Sequence, residues 1–172
     1  MPALKKPNIL ITGTPGVGKS TLCDKLAEKL NFEWHDISKI AKENDFIESY
    51  DEDYECPVID EEKLLDYLEP IITRGGNIIE YHGCDFFPER FFDIIYVIRC
   101  NNTILYDRLK ERNYNEKKLR SNIECEIFQT ILDEAKDSYD ESIVFELKCE
   151  TTDDVDNNVR TVKEWYSNWK RK

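Results

Sequence analysis

The sequence predicts an α/β fold: a five-stranded parallel sheet with helices on both faces. Three observations carry this reading. Short apolar, β-branched runs alternate with amphipathic helical segments, an order that closes through right-handed crossovers into a parallel sheet. One run, Asp93–Arg99, is apolar almost throughout, as a strand buried on both faces must be. The first run enters a glycine-rich turn that opens a helix, Gly13-Thr14-Pro15-Gly16-Val17-Gly18-Lys19-Ser20. That turn fits the G-x-x-x-x-G-K-[ST] phosphate-binding loop, so the fold is a P-loop NTPase fold.

The elements follow in order. Asn8–Thr12 is the first strand, and Ser20–Leu30 a helix with Leu22, Leu26 and Leu30 on one face. Phe32–His35 reads as a short second strand and Ile37–Lys42 as one or two helical turns. From Glu43 to Glu62 there are ten Asp or Glu residues and no Lys or Arg, a pattern too irregular for a core helix that predicts a surface excursion. Asp60 caps a helix running to about Thr73, with Leu64, Leu65, Leu68 and Ile72 inward and Pro70 and Gly75-Gly76 helping to close it. Asn77–Tyr81 and Asp93–Arg99 are the next strands, and Thr103–Glu111 the helix after them. Ser121 and Glu124 form a capping-box pattern, which predicts a helix start there and a stripe of Ile123, Ile127, Ile131 and Ala135 ending near Tyr139. Ser142–Leu147 is the last strand. The final helix opens near Thr152 and carries Val155, Val159, Val162, Tyr166 and Trp169 on one face.

Composition bounds the function. The 172 residues suffice for one domain with a real core, taken as residues 1–172. A net charge of −12 disfavours direct nucleic-acid binding and favours a basic macromolecular partner. No apolar stretch approaches the ~20 residues that span a bilayer, so no membrane association is expected. Met1 to Lys6 lacks the apolar core of a secretory leader. Six cysteines without a C-x-x-C pair predict reduced structural thiols rather than a zinc site.

In a parallel sheet, ligands sit at the carboxyl ends of the strands. That gathers the Gly13–Ser20 loop, Glu80–Arg90 and the segment after Arg99. In the loop, glycines free the backbone N–H groups to face an anion, and the following helix adds its positive end. Gly13, Thr14, Pro15, Gly16, Val17, Gly18, Lys19, Ser20 and Thr21 form the candidate nucleotide-binding set. Lys19 is placed to reach the β- and γ-phosphates of ATP, and the Ser20 hydroxyl to ligate Mg²⁺. Glu80, attached to a neighbouring strand, is the better candidate than Asp85 to complete the Mg²⁺ site. His82 lies next to that strand end, where it can position a water or an acceptor phosphate; His35 reads as structural. Arg108 and Arg112 share a helix face, with Lys117, Lys118 and Arg120 just beyond, and arginine forks suit phosphate oxygens. Arg90 and Arg99 are further candidates for nucleotide contacts.

Glu80-Tyr81-His82-Gly83-Cys84-Asp85-Phe86-Phe87-Pro88-Glu89-Arg90 and Asn113-Tyr114-Asn115-Glu116-Lys117-Lys118-Leu119 closely resemble the small nuclear adenylate kinases. These are the coilin-interacting nuclear ATPase family, adenylate kinase isoenzyme 6-like, which acts in maturation of the small ribosomal subunit. Pro7-Asn8-Ile9, the phosphate loop and Tyr50–Pro57 share the likeness, which covers essentially the whole chain. The resemblance implies an adenylate-kinase-like core with an AMP-binding segment at about 36–59 and a short lid at about 111–121. It implies ATP + AMP ⇌ 2 ADP, broad nucleotide use and ATPase activity. It makes Lys19, His82, Arg108 and Arg112 the catalytic candidates, with Arg112 at the family's lid arginine that contacts ATP. It also implies a basic small-subunit ribosomal protein and pre-40S particles as partners, and residence in nucleus and cytoplasm. The alternative within the same resemblance is an ATP-switched assembly factor in which hydrolysis, not AMP phosphorylation, is the main activity. Three positions depart from the family pattern. Glu80 stands where many relatives carry Asp, Lys42 where an arginine usually meets the AMP phosphate, and Asn113 where the lid hinge has glycine.

Overall fold

The computed structural model describes residues 5–170, so the first four residues of the segment read for a leader lie outside the described residues. Five parallel strands form the main sheet: β1 (Asn8–Thr12), β2 (Glu33–Asp36), β5 (Asn77–Tyr81), β6 (Ile94–Arg99) and β7 (Val144–Lys148). Their order is β2-β5-β1-β6-β7, with β1 at the centre. All five expected strands are present within a residue or two of their predicted ends. Register places Thr12 against Tyr81 and Val97, and Asp36 against Glu80, so these strand ends meet at one edge of the sheet.

Alternation along each central strand splits the core in two. On one face Ile9, Ile11, Ile78, Tyr96 and Ile98 pack against α1 (Lys19–Leu30), α4 (Asn102–Glu111) and α7 (Thr152–Lys170). On the other, Leu10, Ile79, Ile95 and Val97 pack against α2 (Ile37–Glu43), α3 (Glu61–Arg74) and α6 (Thr130–Ser138). Leu22, Leu26 and Leu30 of α1 are buried as their spacing predicts. Asp60 caps α3 by accepting from Lys63 N, but Pro70 lies inside that helix rather than closing it. A proline there removes one i→i−4 bond, and Gly75, N–H bonded to Ile72 O, makes the actual stop. No described helix is long and apolar enough to cross a membrane.

The acidic stretch is a surface excursion, as expected, and it has a regular form. It folds as an antiparallel hairpin, β3 (Ile47–Asp51) with β4 (Cys56–Ile59). Asp51 Oδ1 accepts the N–H groups of Asp53 and Tyr54 at 3.0 and 3.1 Å, and Glu55 takes φ 49°, so an acidic side chain itself folds the turn. The helix of the expected lid segment also begins elsewhere than Ser121. Asn113 ends α4 with φ 58°, and Asn115 caps α5 (Glu116–Ile127) by accepting from Lys118 N at 2.7 Å. Ser121 is therefore mid-helix. The predicted stripe is cut as well: Phe128 and Gln129, the latter at φ 56°, separate α5 from α6, and Ile127 faces solvent.

Candidate active site

The phosphate loop leaves β1 at Thr12 and enters α1 at Lys19. A Cβ on Gly13 would meet the Ile98 carbonyl oxygen at 2.7 Å, and Gly13 holds φ +146°. Only glycine lets the loop lie this close to β6. Gly18 takes φ +108° as the residue preceding α1, and a Cβ there would meet Cys149 Sγ at 2.8 Å.

Lys19 is buried, and its ammonium donates to the carbonyls of Gly13 at 2.6 Å and Thr14 at 3.1 Å. Burial lowers its pKa to about 8, with Glu80 opposing the shift and Arg112 adding to it. A desolvated ammonium held only by dipoles is primed to exchange them for a phosphate anion. Ser20 Oγ donates to Glu80 at 2.9 Å, and Trp34 Nε1 donates to the same carboxylate at 3.0 Å. Glu80 is 7% exposed, and burial raises its pKa while the Ser20 and Trp34 bonds hold it down. Ser20, Glu80 and Asp36 face one cavity, an all-oxygen donor set that fits a hard cation such as Mg²⁺.

That cavity, about 530 Å³, joins two sides. The loop and Glu80 form one. The other holds Ser38 and Lys42 near α2, Tyr54 to Pro57 of the hairpin, and Arg112, Tyr114 and Lys118 of the lid. His82 stacks on Tyr81 with ring centroids 4.2 Å apart and opens into the cavity between the two. The cleft walls, then the ammoniums of Lys19 and Lys118, hold its pKa below the ordinary value, so it stands as neutral imidazole.

Hairpin and lid touch. Lys117 pairs with Asp53 at 3.1 Å, Lys118 Nζ donates to Glu55 O at 3.2 Å, and the Asn115 amide donates to Glu55 Oε1 and to Asp53 O. These contacts join the hairpin and the 113–118 segment on either side of Glu55 and Lys118, which line the cavity.

Not every candidate converges. Arg108 lies on the other side of the loop, in an adjoining cleft, where its guanidinium donates to the carbonyls of Gly16, Cys149 and Glu150 at 3.1 to 3.3 Å. It braces the loop from behind. Arg112 borders both the cavity and that cleft, and donates to Tyr114 Oη at 3.4 Å. Asp85 is exposed and is not among the cavity-lining residues, and Arg90 pairs with Glu69 at 2.7 Å on the surface. His35 Nε2 lies 2.9 Å from Asn77 Oδ1. Cys84 beside His82 is buried, and burial pushes its thiol up to about 12, so it is no nucleophile.

Sequence reasoning missed Asp36, Trp34 and Ser38. Asp36 carried a usable signal, since it directly follows the predicted strand Phe32–His35, at a carboxyl end of the sheet as Glu80 is. The indole bond from Trp34 to Glu80 had none, because it depends on pairing between β2 and β5.

Comparison with known proteins agrees with this geometry. A family model described as an AAA domain matches residues 9–129. The adenylate kinase isoenzyme 6 homolog of Drosophila melanogaster is 67% identical over 167 residues, covering 97% of this chain and 95% of that protein. The homolog of Caenorhabditis elegans is 49% identical, covering 93% and 89%. The adenylate kinase isoenzyme 6 homolog FAP7 of Saccharomyces cerevisiae is 43% identical, covering 95% and 83%. Among solved structures, shikimate kinase from Bacteroides thetaiotaomicron superposes with a TM-score of 0.61 at 17% identity, covering 92% of this chain and 97% of that one. A gluconokinase from Sinorhizobium meliloti gives 0.57 at 15%, covering 96% and 97%; both attest to the fold alone. A phosphate loop on a P-loop kinase sheet and near-full-length likeness to these homologs lead to one conclusion: the chain belongs to the adenylate kinase isoenzyme 6 family of nucleotide kinases.

Proposed function

We propose that this protein is a nucleoside monophosphate kinase that converts ATP and AMP to two ADP, with accompanying ATPase activity. The observation that carries this reading is the two-sided cavity. A hydrolase needs room for one nucleotide and a water. Here the phosphate loop faces a second, cation-lined half built by Lys42, Lys118 and the hairpin.

The acceptor of such a reaction is a phosphate oxyanion, so no strong general base is needed, and catalysis is positioning plus charge stabilisation. Lys19 leaves the Gly13 and Thr14 carbonyls and takes the transferring phosphoryl oxygens. Arg112, carried by the lid, adds a second cation at the same point. Ser20 and Glu80, with Asp36 beside them, would hold Mg²⁺, which neutralises phosphate charge and orients the donor. Neutral His82 donates or accepts a hydrogen bond between donor and acceptor halves without adding charge. The hairpin and lid, meeting through Lys117 and Asp53, exclude water while both nucleotides are in place. Lys42 gives the acceptor phosphate a point charge in place of an arginine fork, which favours loose selection among monophosphates.

The acidic face of the hairpin supports a second reading, an ATP-switched factor that binds a basic small-subunit ribosomal protein during pre-40S maturation in nucleus and cytoplasm. Glu52 and Asp53 are exposed at its turn and suit a basic partner. The test follows ADP formed by the pure protein from ATP and Mg²⁺, with and without AMP. We expect AMP to accelerate ADP production several-fold. Hydrolysis unaffected by AMP defeats the kinase reading and leaves the switch, which a basic ribosomal protein should then stimulate.

A further inference from the structure

Glu126 takes no part in the chemistry above, yet it is 3% exposed and sits in the last turn of α5. A carboxylate so deeply buried needs its charge and its lone pairs answered. Oε2 accepts from Arg99 Nε at 3.0 Å and from the backbone N–H of Cys100 at 2.9 Å. Those bonds come from the end of β6 and answer the charge. Oε1 is left for another purpose: it accepts from the hydroxyl of Thr14 at 3.0 Å. Thr14 is wholly buried in the phosphate loop, and its carbonyl is one of the two that hold the Lys19 ammonium. Arg99 Nη2 also donates to the Glu126 carbonyl at 3.1 Å, pinning the helix end just where α5 breaks from α6. At its opposite end, α5 carries the lid contacts of Lys117 and Lys118 to the hairpin.

The geometry points to Glu126 as a positioning residue that, through the Thr14 hydroxyl, ties the base of the lid helix to the phosphate-binding loop and so couples phosphate occupancy to the orientation of α5. The inference rests on the loop binding nucleotide phosphate. A purely structural ion pair requires Arg99 and the Cys100 N–H but has no need of Thr14. Glu126 lines neither the nucleotide cavity nor the adjoining cleft, so it acts only through its partners. When Lys19 leaves the Thr14 carbonyl for a phosphate, the Glu126 bond keeps Thr14 in place, and any shift of Thr14 is delivered to α5.

The test uses Thr14→Val, which keeps shape and removes the hydroxyl, and Thr14→Ser, which keeps the hydroxyl. ADP affinity is measured by calorimetry, and amide hydrogen exchange is followed across residues 13–20 and 116–127 with saturating ADP. In the wild type, ADP should slow exchange in both segments. Thr14→Val should bind ADP roughly tenfold more weakly, the worth of one buried hydrogen bond. At saturation it should keep protection of the loop but lose that of α5, while Thr14→Ser restores both. Glu126→Met, which removes both carboxylate oxygens, should likewise uncouple α5, and it decides the matter if Thr14→Val does not fold. Full ADP-dependent protection of α5 in folded Thr14→Val or Glu126→Met overturns the coupling alone. Absence of loop protection in the wild type overturns the nucleotide reading and this inference together.

Discussion

Lys19 illustrates a residue kept for chemistry at a cost in stability. Its folded pKa of about 8 lies below the ordinary 10.5, so the unfolded chain holds the proton more tightly. Stability is therefore lowest below pH 8 and rises between about 8 and 10.5, and at neutral pH the burial costs on the order of 3 kcal/mol. Lys19→Met should accordingly lose at least about a hundredfold in turnover, while the nucleotide-free protein becomes more, not less, resistant to urea. Wild-type turnover in that variant would mean the loop is not the donor site. His82 makes a different prediction. Set in the mouth of the cavity and flanked by Lys19 and Lys118, its exposed imidazole should titrate below the ordinary 6.5. An NMR midpoint at or above 6.5 would place a charge where the mechanism has none. Because the folded state gives up that proton more readily, His82 favours the fold as pH rises toward 6.5 and contributes nothing further above it.

The elements that shape the site differ in how they announce themselves. The phosphate loop was legible because every requirement is local: a strand, three glycines, a lysine and a helix, all within consecutive residues. Gly13 shows why it resists change. Gly13→Ala would face both φ +146° and the Ile98 backbone oxygen at 2.7 Å, neither of which can give way. We expect a loss of about 2–3 kcal/mol in urea unfolding, with nucleotide binding impaired even where the protein remains folded. The form of the hairpin was left open and the start of the lid helix misplaced, for different reasons. Charge density argued against strands from Ile47 to Ile59, since Asp and Glu are poor strand formers. Asp51 nevertheless folds the turn with its own side chain, and Phe46 packs on Tyr67, ring centroids 5.6 Å apart, to hold the hairpin to α3. In the lid, Ser121 and Glu124 fitted a capping box, but Asn115 starts the helix first, and a residue already inside a helix cannot cap it.

At the scale of the molecule, the sheet separates two cores that carry stability independently. Leu26 is fully buried on the α1 side and Leu68 fully buried on the α3 side. Each truncation to alanine should cost about 2–5 kcal/mol, and the two should add within about 0.5 kcal/mol because no partner is shared across the sheet. Strong coupling in urea unfolding of the double variant would show that the sheet transmits packing strain from face to face. The fold class, all five sheet strands, the phosphate loop and the pairing of Ser20 with Glu80 were determined by the sequence alone. The fold class, strands and loop follow from periodicity and from a motif whose parts are neighbours in the chain, and Ser20 and Glu80, 60 residues apart, were both assigned to the Mg²⁺ site because parallel strands end at one edge of the sheet. The antiparallel hairpin, the start of the lid helix, the retreat of Arg108 behind the loop, and the bonds of Trp34 to Glu80 and of Glu126 to Thr14 were decided only by the tertiary structure. The hairpin turn and the Asn115 cap are local bonds that compete with other local patterns, whereas the Arg108, Trp34 and Glu126 bonds join groups 41 to 112 residues apart, and no local pattern encodes which distant donor a buried carboxylate will find.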